Sequence, residues 1–192
     1  MSSTDDAIQT KFHFRGRRKN LPWYPMKGTR RHLADLFGEL EFNVGAEIGT
    51  CRGEYAKVLC EANKNLRLHC VDPWMAYQGA TQEKQDILYK RSSELLSKYD
   101  VVIHRQTSLD AVNDFADSSL DFVYIDGNHM FDYVVRDAIA WIPKVRRGGI
   151  VAFHDYDMTD VAYAINAYTH CHDIRPWYIT REINPTAFWV NR

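Results

Sequence analysis

The sequence predicts an α/β fold, doubly wound around a mostly parallel sheet, and two patterns carry that prediction. From residue 43 onward, short β-prone runs alternate with helical stretches, the signature of βαβ units whose sheet is covered on both faces. The last two β-prone runs follow each other with no helix between them. The sheet therefore closes with a hairpin and contains an antiparallel strand. At 192 residues and 45% hydrophobic content, one domain with a sizeable core is expected.

Residues 1–28 show no sustained hydrophobic period and read as a basic arm, cap or lid preceding a domain at 29–192. Leu33, Leu36, Phe37 and Leu40 recur at helical spacing and predict a helix over 29–40. Strands are expected at 43–48, 67–72, 101–106, 120–125 and 149–154, with helices at 53–63, 81–98, 109–116, 131–142 and 158–169. The hairpin falls at 174–180 and 184–190.

Charge and composition exclude several classes. Lys and Arg number 24 against 25 Asp and Glu, so the chain is not basic throughout. Residues 11–31 nevertheless carry eight basic side chains and no acid, interleaved with Phe12, Phe14, Trp23 and Tyr24. No apolar run approaches the roughly 18 residues that span a membrane, and the acidic start MSSTDDAIQT has no signal-peptide character. Cys51, Cys60, Cys70 and Cys171 lack paired C-x-x-C spacing, which reads as a reduced, cytoplasmic protein. His170-Cys171-His172-Asp173 has no second Cys/His pair to complete a zinc site and reads as a helix terminus. Cys51 reads as a small neutral residue, because no motif pairs it with a base.

In open α/β sheets, ligands bind beyond the carboxyl ends of the strands. The first such end here reads Glu47-Ile48-Gly49-Thr50-Cys51-Arg52-Gly53 and runs directly into a helix. Gly49, Thr50 and Gly53 let the backbone approach a ligand, and the helix start offers unpaired N–H groups. The spacing is G-x-x-x-G rather than the dinucleotide G-x-G-x-x-G, so a tight turn without a ligand would read the same. Asp72 ends the second strand, where an acid can accept from both ribose hydroxyls. Loop and acid together suggest an adenosine-bearing cofactor. Trp74 could stack on adenine or pack beneath the loop, and Thr107 and Ser108 end the third strand near the far edge of the base.

These motifs, together with Ile125-Asp126-Gly127-Asn128-His129 and the run from Gly148 to Tyr156 (GGIVAFHDY), resemble class I S-adenosylmethionine-dependent methyltransferases. Within that group they are most similar to small-molecule O-methyltransferases of the catechol, macrocin-sugar and cephamycin types. The resemblance covers about residues 30–190. It implies a Rossmann-like seven-stranded sheet in the order 3-2-1-4-5-7-6 with strand 7 antiparallel. It places Glu47 and Gly49 near the methionine moiety, Asp72 on the ribose, and Thr107 and Ser108 around the adenine.

Asp126 and Asp155 then end neighbouring strands, about 4.8 Å apart. Two carboxylates aimed at one point repel unless a proton or cation separates them. An oxygen-rich site favours Mg²⁺, which would hold a substrate hydroxyl and lower its pKa. The resemblance makes His129, three residues beyond Asp126, the general base for hydroxyl deprotonation. Metal-dependent relatives carry an acid where this chain has His154. That departure leaves three ligands (Asp126, Asp155, His154), a softer ion, or no metal as alternatives. Asp126 could also cap the following turn or bind the cofactor amine, and Asp155 could precede a helix as its cap. The expected acceptor is a small hydroxylated molecule, acidic or phosphorylated if the arm covers it. An RNA-binding methyltransferase using the arm is the second class, disfavoured because the turn IDGNHMF is not the Asp/Asn-Pro-Pro-aromatic turn of base N-methylation. A nicotinamide-dependent oxidoreductase is the third, disfavoured by the missing G-x-G-x-x-G.

Overall fold

Strands β1 (Val44–Ile48), β2 (Arg67–Val71), β3 (Val101–His104), β4 (Leu120–Ile125), β5 (Val145–Phe153), β6 (Tyr178–Ile179) and β7 (Ala187–Val190) form one sheet. In this computed structural model, which describes residues 3–13, 22–25, 27–77 and 79–192, their order is β3-β2-β1-β4-β5-β7-β6. The first five strands are parallel, and β7 runs antiparallel to both β5 and β6. The seven-stranded order with an antiparallel β7 is the one expected from the sequence.

Alternation along the central strands divides the core between the two faces of the sheet. Ala46, Ile48, Val123, Ile125, Val151 and Phe153 pack on one side against α6 (Phe131–Trp141) and α7 (Thr159–Cys171). Cys70, Phe122, Tyr124, Ile150 and Ala152 pack on the other against α2 (Arg30–Glu39) and α3 (Glu54–Ala62). Helix α4 (Gln82–Leu96) follows β2, and a short α5 (Ser108–Ala111) with a 3-10 turn at Val112–Asp114 follows β3. The expected helix over 109–116 is thus two short pieces. Strand β5 starts at Val145, four residues before the expected start, and its pairing with β4 shifts register between Leu120 and Phe122.

The amino-terminal region departs most from the expectation. Ser3–Phe12 form a helix, α1, with Thr4, Asp5, Ile8 and Phe12 buried at helical spacing. Two of those four are polar, which erases the apolar period. They are satisfied elsewhere: the Thr4 hydroxyl donates to the Gly148 carbonyl at 2.8 Å, and both Asp5 oxygens accept from Arg192 at 2.8 Å. Trp23 bridges to Tyr178, so this stretch of chain adds to the β6 edge of the sheet. Phe14, Arg15, Arg17, Arg18 and Lys19 of the expected basic arm lie outside the described residues.

Asp5 is fully buried and its Arg192 partner only partly so. Asp5→Ala should therefore lower unfolding free energy by about 1–3 kcal/mol, measured by urea denaturation. An unchanged midpoint would show that α1 is not integral to the folded unit.

Candidate active site

Ladder hydrogen bonding continues one residue past each central strand, and this registers the site. Gly49 N–H donates to Val71 O (2.8 Å), Asp72 N–H to His104 O (3.1 Å), Asp126 N–H to Ile48 O (2.8 Å) and His154 N–H to Ile125 O (2.9 Å). Four residues singled out in the sequence thus stand side by side along the carboxyl edge. Gly49 has φ +94°, and a Cβ there would fall 2.0 Å from the Asp126 carbonyl oxygen. Only glycine lets the loop after β1 pass so close to the end of β4.

The loop fits a polar ligand. Gly53, at φ +75°, precedes α3, and no side chain caps that helix start. Glu47 Oε2 and Thr50 Oγ1 are buried and have no hydrogen-bond partner beyond each other's side chains, and such groups call for a further partner. Burial pushes the Glu47 carboxyl up to about 8, with Asp126 and Asp72 adding to the effect. Asp72 accepts from the Cys51 N–H at 2.8 Å and, through its other oxygen, from the Trp74 N–H at 2.8 Å. It therefore braces the loop and retains unused lone pairs for hydroxyl donors.

Trp74 is fully buried, its indole N–H donating to the Cys51 carbonyl at 2.9 Å and its ring edge-on to Tyr89. Its observed role is packing beneath the loop, the second of the two readings, and it offers no exposed face for stacking. Thr107 caps α5 by accepting from the Asp110 N–H at 3.2 Å. The Ser108 hydroxyl is committed internally, donating to Asp137 at 2.5 Å and accepting from the Trp141 indole at 2.8 Å. The side chain of Ser108 is thus turned to packing, leaving its backbone at the end of β3.

The acidic edge is assembled at the ends of β4 and β5. His129 Nε2 lies 2.9 Å from Asp155 Oδ2 and 3.4 Å from Asp126 Oδ1, bridging the two carboxylates. His154 Nδ1 lies 3.0 Å from Asp155 Oδ1 and 3.4 Å from Asp126 Oδ1. Burial opposes ionisation of Asp126, yet the two imidazoles outweigh it and its pKa is lowered. The His129 pKa is raised, first through its hydrogen bond to Asp126 and against the pull of burial. Burial also lowers His154, but Asp126 and Asp155 together raise it.

Donor atoms of Asp126, His154 and Asp155 lie within 4.8 Å of one another. His154 Nδ1 is buried against both acids. An imidazole nitrogen beside two carboxylates suits a divalent cation in donor type and spacing.

Four contributors escaped the sequence reading. Arg30, assigned to the basic arm, places Nη1 3.1 Å from His154 Nε2 and its guanidinium 5.1 Å from the Tyr55 ring centroid. Glu182 and Asn184, in the β6–β7 loop, hold the Arg30 N–H (2.5 Å) and Asp155 Oδ1 (2.9 Å). Asp137 is buried beside the loops, and burial lifts its carboxyl to about 6. No local motif marks any of the four, because each partner is distant in sequence.

Comparison with known proteins agrees with this fold. A methyltransferase-domain family matches residues 46–156, from the middle of β1 through the acidic edge. The chain belongs to that family, and its sheet order is that of the class I S-adenosylmethionine-dependent methyltransferases. It is 30% identical over 135 residues to an uncharacterized protein, y4gI, of Sinorhizobium fredii (strain NBRC 101917 / NGR234), 64% of this chain but only 14% of that protein. Among solved structures it is similar to the O-methyltransferase from Bacillus cereus in complex with SAH (TM-score 0.63, 16% identity, 100% of this chain and 92% of that one). It also resembles cofactor-bound Rv0187 from MTB (TM-score 0.60, 18% identity, 98% and 88% coverage). At such identities the structural likeness shows the fold. Among the described residues, no helix is long and apolar enough to cross a membrane.

Asp137 yields a test of the electrostatics. Its folded-state pKa stands above the ordinary carboxyl value of 3.8. The group therefore costs nothing at low pH, and the cost appears as pH rises toward about 6 and persists above it. Asp137→Asn can still accept from Ser108. It should gain about 1–3 kcal/mol of stability at neutral pH and nothing near pH 4, read from denaturation midpoints across that range. A loss at neutral pH would mean that the carboxylate is needed ionised.

Proposed function

We propose that this protein transfers a methyl group from S-adenosylmethionine to a hydroxyl oxygen of a small molecule. The observation that supports this most is the side-by-side register of Gly49, Asp72, Asp126 and His154, with His129 bridging the acids. One edge then offers a cofactor loop and, beside it, a base at a carboxylate pair.

S-adenosylmethionine supplies an electrophilic methyl group on a sulfonium. Glu47 and Thr50 meet its polar methionine end, Asp72 accepts from the ribose hydroxyls, and the backbone at Thr107 and Ser108 borders the adenine. The Gly49 approach fixes the distance from that loop to Asp126, which sets the orientation for in-line attack. His129 takes the hydroxyl proton, and Asp126 and Asp155 stabilise the imidazolium so formed. Asp126 and Asp155, with His154 beside them, would hold a divalent cation, which would lower the pKa of the acceptor hydroxyl. Exposed Tyr24, Tyr77, Met130, Met158 and Ile183 lie on segments flanking these strand ends. They favour an acceptor with an apolar body over a bare sugar.

The test is methyl transfer from labelled S-adenosylmethionine to a panel of hydroxylated small molecules, read by mass spectrometry. His129→Ala should reduce kcat by roughly 10²–10⁴-fold with S-adenosylhomocysteine affinity little changed, whereas Asp72→Ala should mainly weaken cofactor binding. Since both acids favour the imidazolium, the acid limb of the kcat profile should lie above the ordinary imidazole value of 6.5. Equal losses of turnover and cofactor affinity in both variants would contradict these roles.

A further inference from the structure

We propose that Arg30 decides whether His154 can ligate a cation, by fixing which ring nitrogen carries the imidazole proton. This rests on the reading of Asp126, Asp155 and His154 as a cation site. A guanidinium has five N–H donors and no acceptor. With Arg30 Nη1 3.1 Å from His154 Nε2, the contact is a hydrogen bond only if Nε2 is bare. The ring proton of the neutral imidazole therefore sits on Nδ1, the atom that faces Asp126 and Asp155.

A cation on Nδ1 needs that lone pair instead. The proton would then stand on Nε2, pointing N–H against the N–H of Arg30. Contact with Arg30 and ligation through Nδ1 are mutually exclusive, although no proton is gained or lost between the two forms. The hairpin loop favours the first form. Glu182 accepts from the Arg30 backbone N–H at 2.5 Å and from the Thr180 hydroxyl at 2.9 Å, while the Tyr55 ring lies against the guanidinium. Asn184 of the same loop donates to Asp155 at 2.9 Å.

The consequence is a filter on ions. While Arg30 engages His154, the lone pairs that Asp126, His154 and Asp155 offer an ion are those of carboxylate oxygens, a donor set for a hard cation such as Mg²⁺ that keeps several waters. Ions that gain from an imidazole nitrogen, such as Co²⁺, lose that ligand. Arg30 is thus a positioning residue acting through His154.

Two variants separate this from simple loss of charge. Arg30→Gln and Arg30→Met remove the same cation, but only the Gln carbonyl can accept an Nε2–H and favour a bare Nδ1. Titration calorimetry of the full chain should show Co²⁺ binding about tenfold tighter in Arg30→Gln than in Arg30→Met, with Mg²⁺ affinity alike in the two. Long-range ¹H–¹⁵N spectra of the imidazoles should place the His154 proton on Nδ1 in the wild type and on Nε2 in Arg30→Gln. Equal Co²⁺ affinity in the two variants, or an Nε2–H tautomer in the wild type, overturns the proposal. Failure of all three proteins to bind Co²⁺ overturns it as well. S-adenosylhomocysteine binding in that same case would leave the methyl-transfer reading intact.

Discussion

Parallel strands that end in acids create the constraint on which the rest of this molecule depends. Glu47, Asp72, Asp126 and Asp155 are delivered to one edge by backbone register, and they repel one another unless each is answered. Each is answered differently. Burial keeps Glu47 protonated up to about pH 8. Asp72 is held by the Cys51 N–H of the loop after β1 and the Trp74 N–H of its own loop. Asp126 and Asp155 share His129 and His154, with Asn184 completing Asp155. The glycine approach at Gly49 matters for the same reason, since it brings the Glu47 loop against the end of β4.

Peripheral elements make sense as supports for this edge. The β6–β7 loop reaches back to hold Arg30 and Asp155, and the β6 strand itself is only two residues long. Helix α1 and Trp23 in turn secure the β5–β7–β6 side, through Thr4 on Gly148 and the bridge to Tyr178. The amino-terminal region therefore contributes to the fold that carries the site, whatever it contributes above it.

Legibility in the sequence followed the range of the interactions. Strands β1 to β4 and helices α3 and α4 were readable, because alternation and helical period are local signals. The placement of Gly49, Asp72 and Asp126 at strand ends was readable for the same reason: an acid or glycine closing a β-prone run has a defined position in an α/β sheet. Helix α1 was not, since its buried stripe includes Thr4 and Asp5, whose partners lie more than 140 residues away. Arg30 was counted as one of eight basic residues in an arm, whereas its chemistry is set by His154 and Glu182. Trp74 could be read two ways until its burial was known.

The claim on which the account rests is that this edge binds S-adenosylmethionine with Glu47 facing its cationic methionine end. Calorimetric titration with S-adenosylhomocysteine tests it. A ligand ammonium favours ionised Glu47, so binding should release a proton and tighten as pH rises from about 6.5 toward 8, where free Glu47 itself ionises. Glu47→Gln should bind more weakly and lose that dependence. Absence of binding, or equal affinity at both pH values in the wild type and in Glu47→Gln, would contradict the account.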